Sequence, residues 1–579
     1  MANKDLIQGI KAKRTESFTF TIALLAFQIF MVVLYAVWVR YSNDDDRKND
    51  PENPSSLENP VQEDVDNVYG YFRDINIMIF FGFGFLMTFL RRYGYSALGY
   101  TFVISAMVCQ WSILLYGFFE TVHHADKNDE YFSSNFQFTL YSMLNGLFCA
   151  GAVMISYGAI LGRVTPTQML ALGIIEPMFY FLNLFIGDMV LKAVDVGGGM
   201  YIHTFGCYFG LTVAWFLTNR KTKECPDNTA SYNGDLFAMA GTLFLWMMWP
   251  SFNAAIAPEG DPQFRALANT FISLTSSTMA TFIVSRLLGH YGYKLDMVHV
   301  QNSSLAGGVI QGVLAHMNIS PAIAITMGFI AGTISVLGYV FLTPLLQKRL
   351  NIQDTCGIHN LHGMPGFLGS IAAIIACARG INNKYLYGDD YDAIFRAGDD
   401  QARANAAATF ISVGLAIVGG LITGFILKLI GRIGQLKTEE YYQDSAFWHV
   451  PSDYPKDIES GTAPVGDEEN GAVELDIKKA DLNELKKKGS SRAYRREIIR
   501  LLETLVLSEG LARKYDSSES DQDSDGSDSD DDESNSRKNR RGHHHSKRSH
   551  HKNNNNNNRK DEVIPEKKEQ EIKIPDSSN

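Results

Sequence analysis

The sequence predicts an all-α polytopic membrane protein, with twelve transmembrane helices and a pseudo-twofold inverted repeat. Three observations carry that prediction. First, charge is segregated: residues 431–579 hold 26 of the 52 Lys and Arg and 32 of the 63 Asp and Glu. The first 430 residues are correspondingly rich in apolar runs of 18 to 25 residues, the length a helix needs to cross hydrocarbon. A mean hydropathy of −0.07 averages these two unlike parts. Second, Lys and Arg cluster in alternate breaks between the runs. Third, an acid, several glycines and a histidine recur at fixed spacing in the two halves of the apolar region.

In chain order, residues 1–16 carry Lys4, Lys11, Lys13 and Arg14 and have no small-residue cleavage site, so the run Phe18 to Val39 reads as the first span after a cytosolic N-terminus. Residues 42–68 read as a polar, acidic loop on the far side, where Asn53 is followed by proline and makes no glycosylation sequon. Further spans are expected near 74–90, 95–118, 137–161, 168–191, 201–218, 235–256, 267–288, 296–316, 321–345, 357–378 and 406–430. Arg91 and Arg92, Arg163, Arg220 with Lys221 and Lys223, Arg286 with Lys294, and Lys348 with Arg349 then all fall on the cytosolic side. Glycines inside the spans, such as Gly82, Gly84, Gly328 and Gly332, fit close helix packing.

Residues 17–430 are therefore expected to form the membrane domain and 431–510 a cytosolic region with an amphipathic helix within 472–508. Residues 511–579, with their Ser/Asp run, His543 to His545 and Asn553 to Asn558, read as a disordered tail that invites acid-directed phosphorylation at Ser524 or Ser527. The net charge of −11 is small for 579 residues, and no nucleic-acid partner is expected. All six cysteines except Cys225 lie in or beside spans, with neither a disulfide framework nor zinc spacing, so neither metal nor other cofactor is expected.

The repeated motif is DVGGGMYIHTFGCYFGL from Asp195 and DTCGIHNLHGMPGFLGS from Asp354. Asp195 to His203 is eight residues, and so is Asp354 to His362. Ionisable residues at membrane depth mark sites or pathways, and repeats in two halves of a membrane protein build one site from two segments. The repeat would place His203 and His362 face to face at the midplane. Two imidazoles in an apolar pore share one proton, one nitrogen donating and the other accepting. Burial disfavours their charged form, so the pair suits a small neutral polar molecule and offers a proton route. For Asp195, helix capping and direct substrate contact remain equal readings; for Asp354, Thr355 and Gly357 favour capping.

These motifs, together with FCAGAVMISYGAILG (148–162), GTLFLWMMWPSFNAAI (241–256) and LDMVHVQNSSLAGGV (295–309), resemble the ammonium transporter/Rhesus glycoprotein family, specifically its Rhesus branch. The resemblance covers roughly residues 15–430. It implies an ammonium transporter-like fold, a homotrimer in membrane lipid, and a narrow pore in each subunit for ammonia, or for ammonium that gives up its proton at the mouth. By resemblance, His203 and His362 are the paired pore histidines. Phe148 and Phe252 are the rings stacked at the outer mouth, and Asn253 accompanies that gate. Asp195 is a structural and recruiting acid, and Asp235, Asp296 and Asp354 line the vestibules.

Two departures stand out. Ile256 replaces the serine that the ammonium transporter branch carries four residues after the gate phenylalanine, so a high-affinity cation site is not expected. Leu184 stands where vertebrate Rhesus relatives often carry a glutamate, with Asp188 one turn on as the substitute acid. Ammonium crossing an apolar pore would carry a large desolvation penalty, which favours passage as ammonia. Competing readings are a channel for carbon dioxide or another neutral gas, an intramembrane metalloenzyme, against which no HExxH-like pair exists, and an ammonium sensor signalling through its tail. An enzyme is not expected. The plasma membrane and an internal vacuolar or endosomal membrane both fit, with both termini cytosolic.

Overall fold

The computed structural model describes residues 2–41, 60–125, 136–288, 294–432 and 436–455, all within the unit Met1–Val465. The amphipathic stretch 472–508 and the polar tail lie outside the described residues. Helix dominates because, without water to satisfy backbone groups, a chain crossing hydrocarbon must pair them within each segment. Among the described residues ten helical segments are long and apolar enough to cross a membrane. They include α1 (Ala2–Trp38), α2 (Pro60–Ile77, continuing to Phe89), α3 (Gly94–Ala125), α4 (Leu140–Ile160), α5 (Pro166–Leu184) and α6 (Phe205–Leu217).

Two more crossings bring the count to twelve. Helix α7 (Tyr232–Ala254) is 23 residues long, its hydropathy diluted by Tyr232, Trp246, Trp249 and two asparagines. After α8 (Asp261–Leu288), the ninth crossing is broken into α9 (Met297–Ser303) and α10 (Ala306–Gln311). Then follow α11 (Pro321–Leu337), α12 (Met364–Ala378) and α13 (Gln401–Ile430).

Several boundaries differ from the sequence reading. The second crossing starts at Pro60 rather than near 74, because Val65, Val68 and Phe72 continue one apolar stripe, with Val68 buried against the bundle. The eighth and twelfth begin at Asp261 and Gln401 rather than near 267 and 406; in the first turns of the twelfth, Gln401 and Asn405 are polar yet buried. Short strands β1 (Val39–Tyr41) and β2 (Phe136–Phe138) pair in parallel, with Val39 opposite Phe136.

Candidate functional site

Each histidine sits in a single π-helical turn, His203 in Gly199–Thr204 ahead of α6 and His362 in His359–Gly363 ahead of α12. Such turns recur at functional sites because they rotate side chains out of the regular helical register. The two lead-ins share one design. Three residues after each acid, a glycine takes a left-handed conformation: Gly198 at φ +66° and Gly357 at φ +73°. The chain thereby folds back so that the acid caps its own π-turn. Asp195 Oδ2 accepts the Met200 and Tyr201 N–H groups, both at 2.8 Å. The Asp354 carboxylate accepts from Gly357, Ile358 and His359 at 2.9 to 3.0 Å.

These motifs begin the sixth and eleventh crossings, which are separated by an odd number of chain reversals and therefore run antiparallel. Asp195 and Asp354 stand at opposite ends of the bundle, and the histidines meet between them. His203 Nδ1 and His362 Nδ1 are 3.1 Å apart. Their ring planes differ by 7° with centroids 5.2 Å apart, so the imidazoles meet edge to edge rather than face to face. One Nδ1 must then donate and the other accept, which excludes two protonated rings. The Nε2 atoms consequently differ, one an acceptor and the other an N–H donor. Both histidines are buried, and His203 Nε2 has no protein hydrogen-bond partner.

Toward the Asp195 end, Phe148 and Phe252 have centroids 5.0 Å apart at 73°, an edge-to-face contact rather than the stack expected. Placing a positive ring edge on a negative face is the better electrostatic arrangement. Phe252 is also 5.9 Å from the His203 ring. Asn253 donates to Thr270 Oγ1 (2.9 Å) and to the Gly308 carbonyl (3.0 Å), tying α7 to α8 and to the broken crossing. Ile256 is half exposed. Asp188 forms a close ion pair with Arg396. The acid expected near the place of Leu184 thus has its charge matched by an arginine from the segment before α13.

Toward the other end, a cleft runs from His362 past Phe83, Met154, Ile155 and Leu361 to Asn302 and Cys356. Its walls are mainly apolar. Asp296 caps α9 through the Val298 N–H at 2.9 Å, and Asp235 accepts from Gln301 Nε2 on its backbone oxygen (2.9 Å) and carboxylate (3.1 Å). Asp354 is buried with both oxygens occupied, so its geometry is that of a cap. At the opposite end, Asp195 is likewise buried, with Oδ2 taken by the Met200 and Tyr201 N–H groups.

Several contributors are not evident from the sequence. Trp249, fully buried, lies 5.5 Å from the His203 ring at 25°, and its indole occupies the space a side chain at Gly308 would need. Both glycine and tryptophan occur in the quoted motifs, but only the fold brings them together. Asn405 of α13 grips the Val194 peptide on both sides, accepting from its N–H (3.1 Å) and donating to its carbonyl (2.9 Å), next to Asp195. Ser412 on the same helix donates to the Met200 carbonyl at 3.2 Å. Arg163 donates to the Gln353 carbonyl at 2.7 Å, beside Asp354.

Comparison with known proteins agrees with this architecture. The sequence model of the Ammonium Transporter Family matches residues 61–453. Rhesus-like glycoprotein B of Dictyostelium discoideum is 64% identical over 520 residues, covering 88% of this chain and 86% of the relative. Ammonium transporter Rh type B of Danio rerio is 43% identical over 438 residues, covering 74% and 92%. Among solved structures, Nitrosomonas europaea Rh50 superposes with a TM-score of 0.57 at 32% identity, covering 68% of this chain and 94% of that one. Saccharomyces cerevisiae Mep2 shares the fold at 17% identity and a TM-score of 0.54, covering 70% and 95%. With the family match spanning most of the membrane domain and the Rhesus-type relatives aligned along nearly their whole length, the chain belongs to the ammonium transporter family, in its Rhesus branch.

Proposed function

We propose that this protein conducts ammonia across a membrane, taking up ammonium at the Asp195 end, releasing its proton there, and passing ammonia along the histidine pair to be reprotonated at the far end. The observation that carries the reading is the Nδ1–Nδ1 pair at 3.1 Å. Its unlike Nε2 atoms provide one acceptor and one donor, matched to a molecule that both donates and accepts. A cation in the same apolar passage would lose its hydration without a compensating charge, at a cost of several kcal/mol. Phe148 and Phe252 act as the gate, with Asn253 holding its backing, and Asp195 holds the turn beneath it. Asp235, Asp296 and Asp354 shape the opposite vestibule.

The relatives' names, Rhesus-like glycoprotein and ammonium transporter Rh type B, support the substrate class. On this reading the protein is a channel rather than an enzyme, assembles as a homotrimer in lipid, and keeps both termini cytosolic in the plasma membrane or an internal vacuolar or endosomal one.

Stopped-flow recording of internal pH in liposomes after an ammonium gradient, with membrane current measured in parallel, tests this reading. Wild-type protein should give alkalinisation faster than empty liposomes and no current. His203→Ala/His362→Ala should slow it by about tenfold or more. No acceleration by the wild type would overturn the reading, and carbon dioxide conductance unaffected by the double substitution would then favour a neutral-gas channel.

A further inference from the structure

One ionisable side chain lies deep inside a crossing and outside the pore just described. Glu176, in the middle of α5, is fully buried. Its carboxyl Oε1 is 2.6 Å from Ser156 Oγ of α4, and the same hydroxyl is 2.7 Å from the Gly206 carbonyl oxygen of α6, three residues beyond His203. No Lys or Arg pairs with Glu176 among the described residues, and its Oε2 has no protein partner.

Proton counting decides the direction of these bonds. A serine hydroxyl carries one hydrogen and two lone pairs. The Gly206 carbonyl can only accept, so both short contacts are hydrogen bonds only if the serine hydrogen goes to that carbonyl. The short contact to Glu176 is then a hydrogen bond only if the carboxyl donates, which requires it to carry a proton. An ionised carboxylate would instead compete with the carbonyl for that one hydrogen, leaving one of the two close oxygen pairs without a proton and a charge unmatched by any described Lys or Arg in the interior of a membrane bundle.

We propose that Glu176 is held as a neutral carboxylic acid and, by donating to Ser156, positions the turn that carries His203. Backbone contacts sharpen the leverage. A Cβ at Gly206 would lie 2.7 Å from the Ala152 carbonyl, and one at Gly210 would lie 2.6 Å from Ser156 Cα, so α4 and α6 touch along their backbones. Between them the acid–hydroxyl–carbonyl chain sets the rotation of α6, and with it the aim of His203. The role as a positioning residue for the pore rests on the ammonia-channel reading; the protonation does not.

Infrared difference spectroscopy of lipid-reconstituted protein, wild type minus Glu176→Gln, tests the protonation at neutral pH. A carboxylic-acid carbonyl band present only in the wild type is expected; carboxylate bands in its place would overturn the proposal whatever the protein conducts. Liposome alkalinisation tests the positioning. Glu176→Gln keeps a neutral donor and should conduct within about twofold of wild type, whereas Glu176→Leu and Ser156→Ala should each slow conduction by about tenfold. Conduction lost in a correctly folded Glu176→Gln would show that the acid's proton must move, which contradicts a fixed donor. Unimpaired conduction in Ser156→Ala would equally remove the positioning role.

Discussion

Asp195 caps the His203 turn, and the recruiting role proposed for it can be separated from that cap by measurement. One carboxylate oxygen accepts two backbone N–H groups, and the other has no protein partner. Asparagine keeps a carbonyl oxygen for the cap but removes the charge, so Asp195→Asn should cost only about 1–2 kcal/mol of stability. Alanine leaves two buried N–H groups unanswered and frees the His203 turn, so Asp195→Ala should cost more and should lose conduction. Thermal denaturation in detergent and liposome alkalinisation would check both variants. If asparagine loses conduction while keeping its melting temperature, the charge itself recruits the substrate. Equal retention in both variants would remove Asp195 from the pathway. The same reasoning separates the other acids: Asp354 and Asp296 hold helix starts, whereas the charge of Asp188 is matched by Arg396.

The working element is the π-turn with its acid cap and left-handed glycine, used twice in opposite directions. A non-glycine residue at positive φ costs about 1–2 kcal/mol. Gly198→Ala and Gly357→Ala should therefore both destabilise the protein and misplace a histidine. Both positions also lack room: a Cβ at Gly198 would press on the Ile202 side chain, and one at Gly357 would enter the Tyr339 ring, whose hydroxyl already donates to the Cys356 carbonyl at 2.9 Å. Helix α13 is the clamp on the first turn. Asn405→Leu removes both bonds to Val194 and the one from Gln401, leaves the buried Val194 peptide unpaired, and should cost about 2–3 kcal/mol and slow conduction. Full conduction in that variant would show that the turn holds its shape without α13.

At the scale of the whole molecule, the segment 436–455 after α13 ties the loops of the Asp354 end together. Tyr442 is fully buried, its N–H donates to the Gly162 carbonyl (2.8 Å) and its hydroxyl accepts from Gln353 Nε2 (2.8 Å), next to Asp354. Asp444 accepts the Tyr95 and Ser96 N–H groups (2.9 and 2.7 Å) at the start of α3, and Trp448 lies over Gly99. Lys13 near the N-terminus pairs with Glu440 at 3.0 Å. Truncating a large buried aromatic costs about 3–5 kcal/mol. Tyr442→Ala should accordingly lower the melting temperature far more than Tyr442→Phe, which loses only the hydroxyl's bonds with Gln353 and the Thr222 carbonyl. A small, equal shift in both would mean that this segment merely rests on the bundle.

Much of this was legible in the residues. Apolar run length determines ten of the crossings outright, because hydrocarbon thickness and unpaired backbone groups leave little choice, and the alternation of basic loops supports the diluted seventh and the broken ninth. The spacing from Asp195 to His203, repeated from Asp354 to His362, determines that two turns have one local design, since capping and a left-handed glycine are short-range chemistry. Partners distant in the chain are decided only by packing. The edge-on meeting of the histidines, the tilt of Phe148 against Phe252, the indole of Trp249 in the space left by Gly308, and the match of Arg396 to Asp188 depend on how antiparallel helices settle against one another. Periodicity places a side chain on a helix face. The tertiary structure alone decides what that face meets, because the approach distance is set by side-chain volumes on both helices at once.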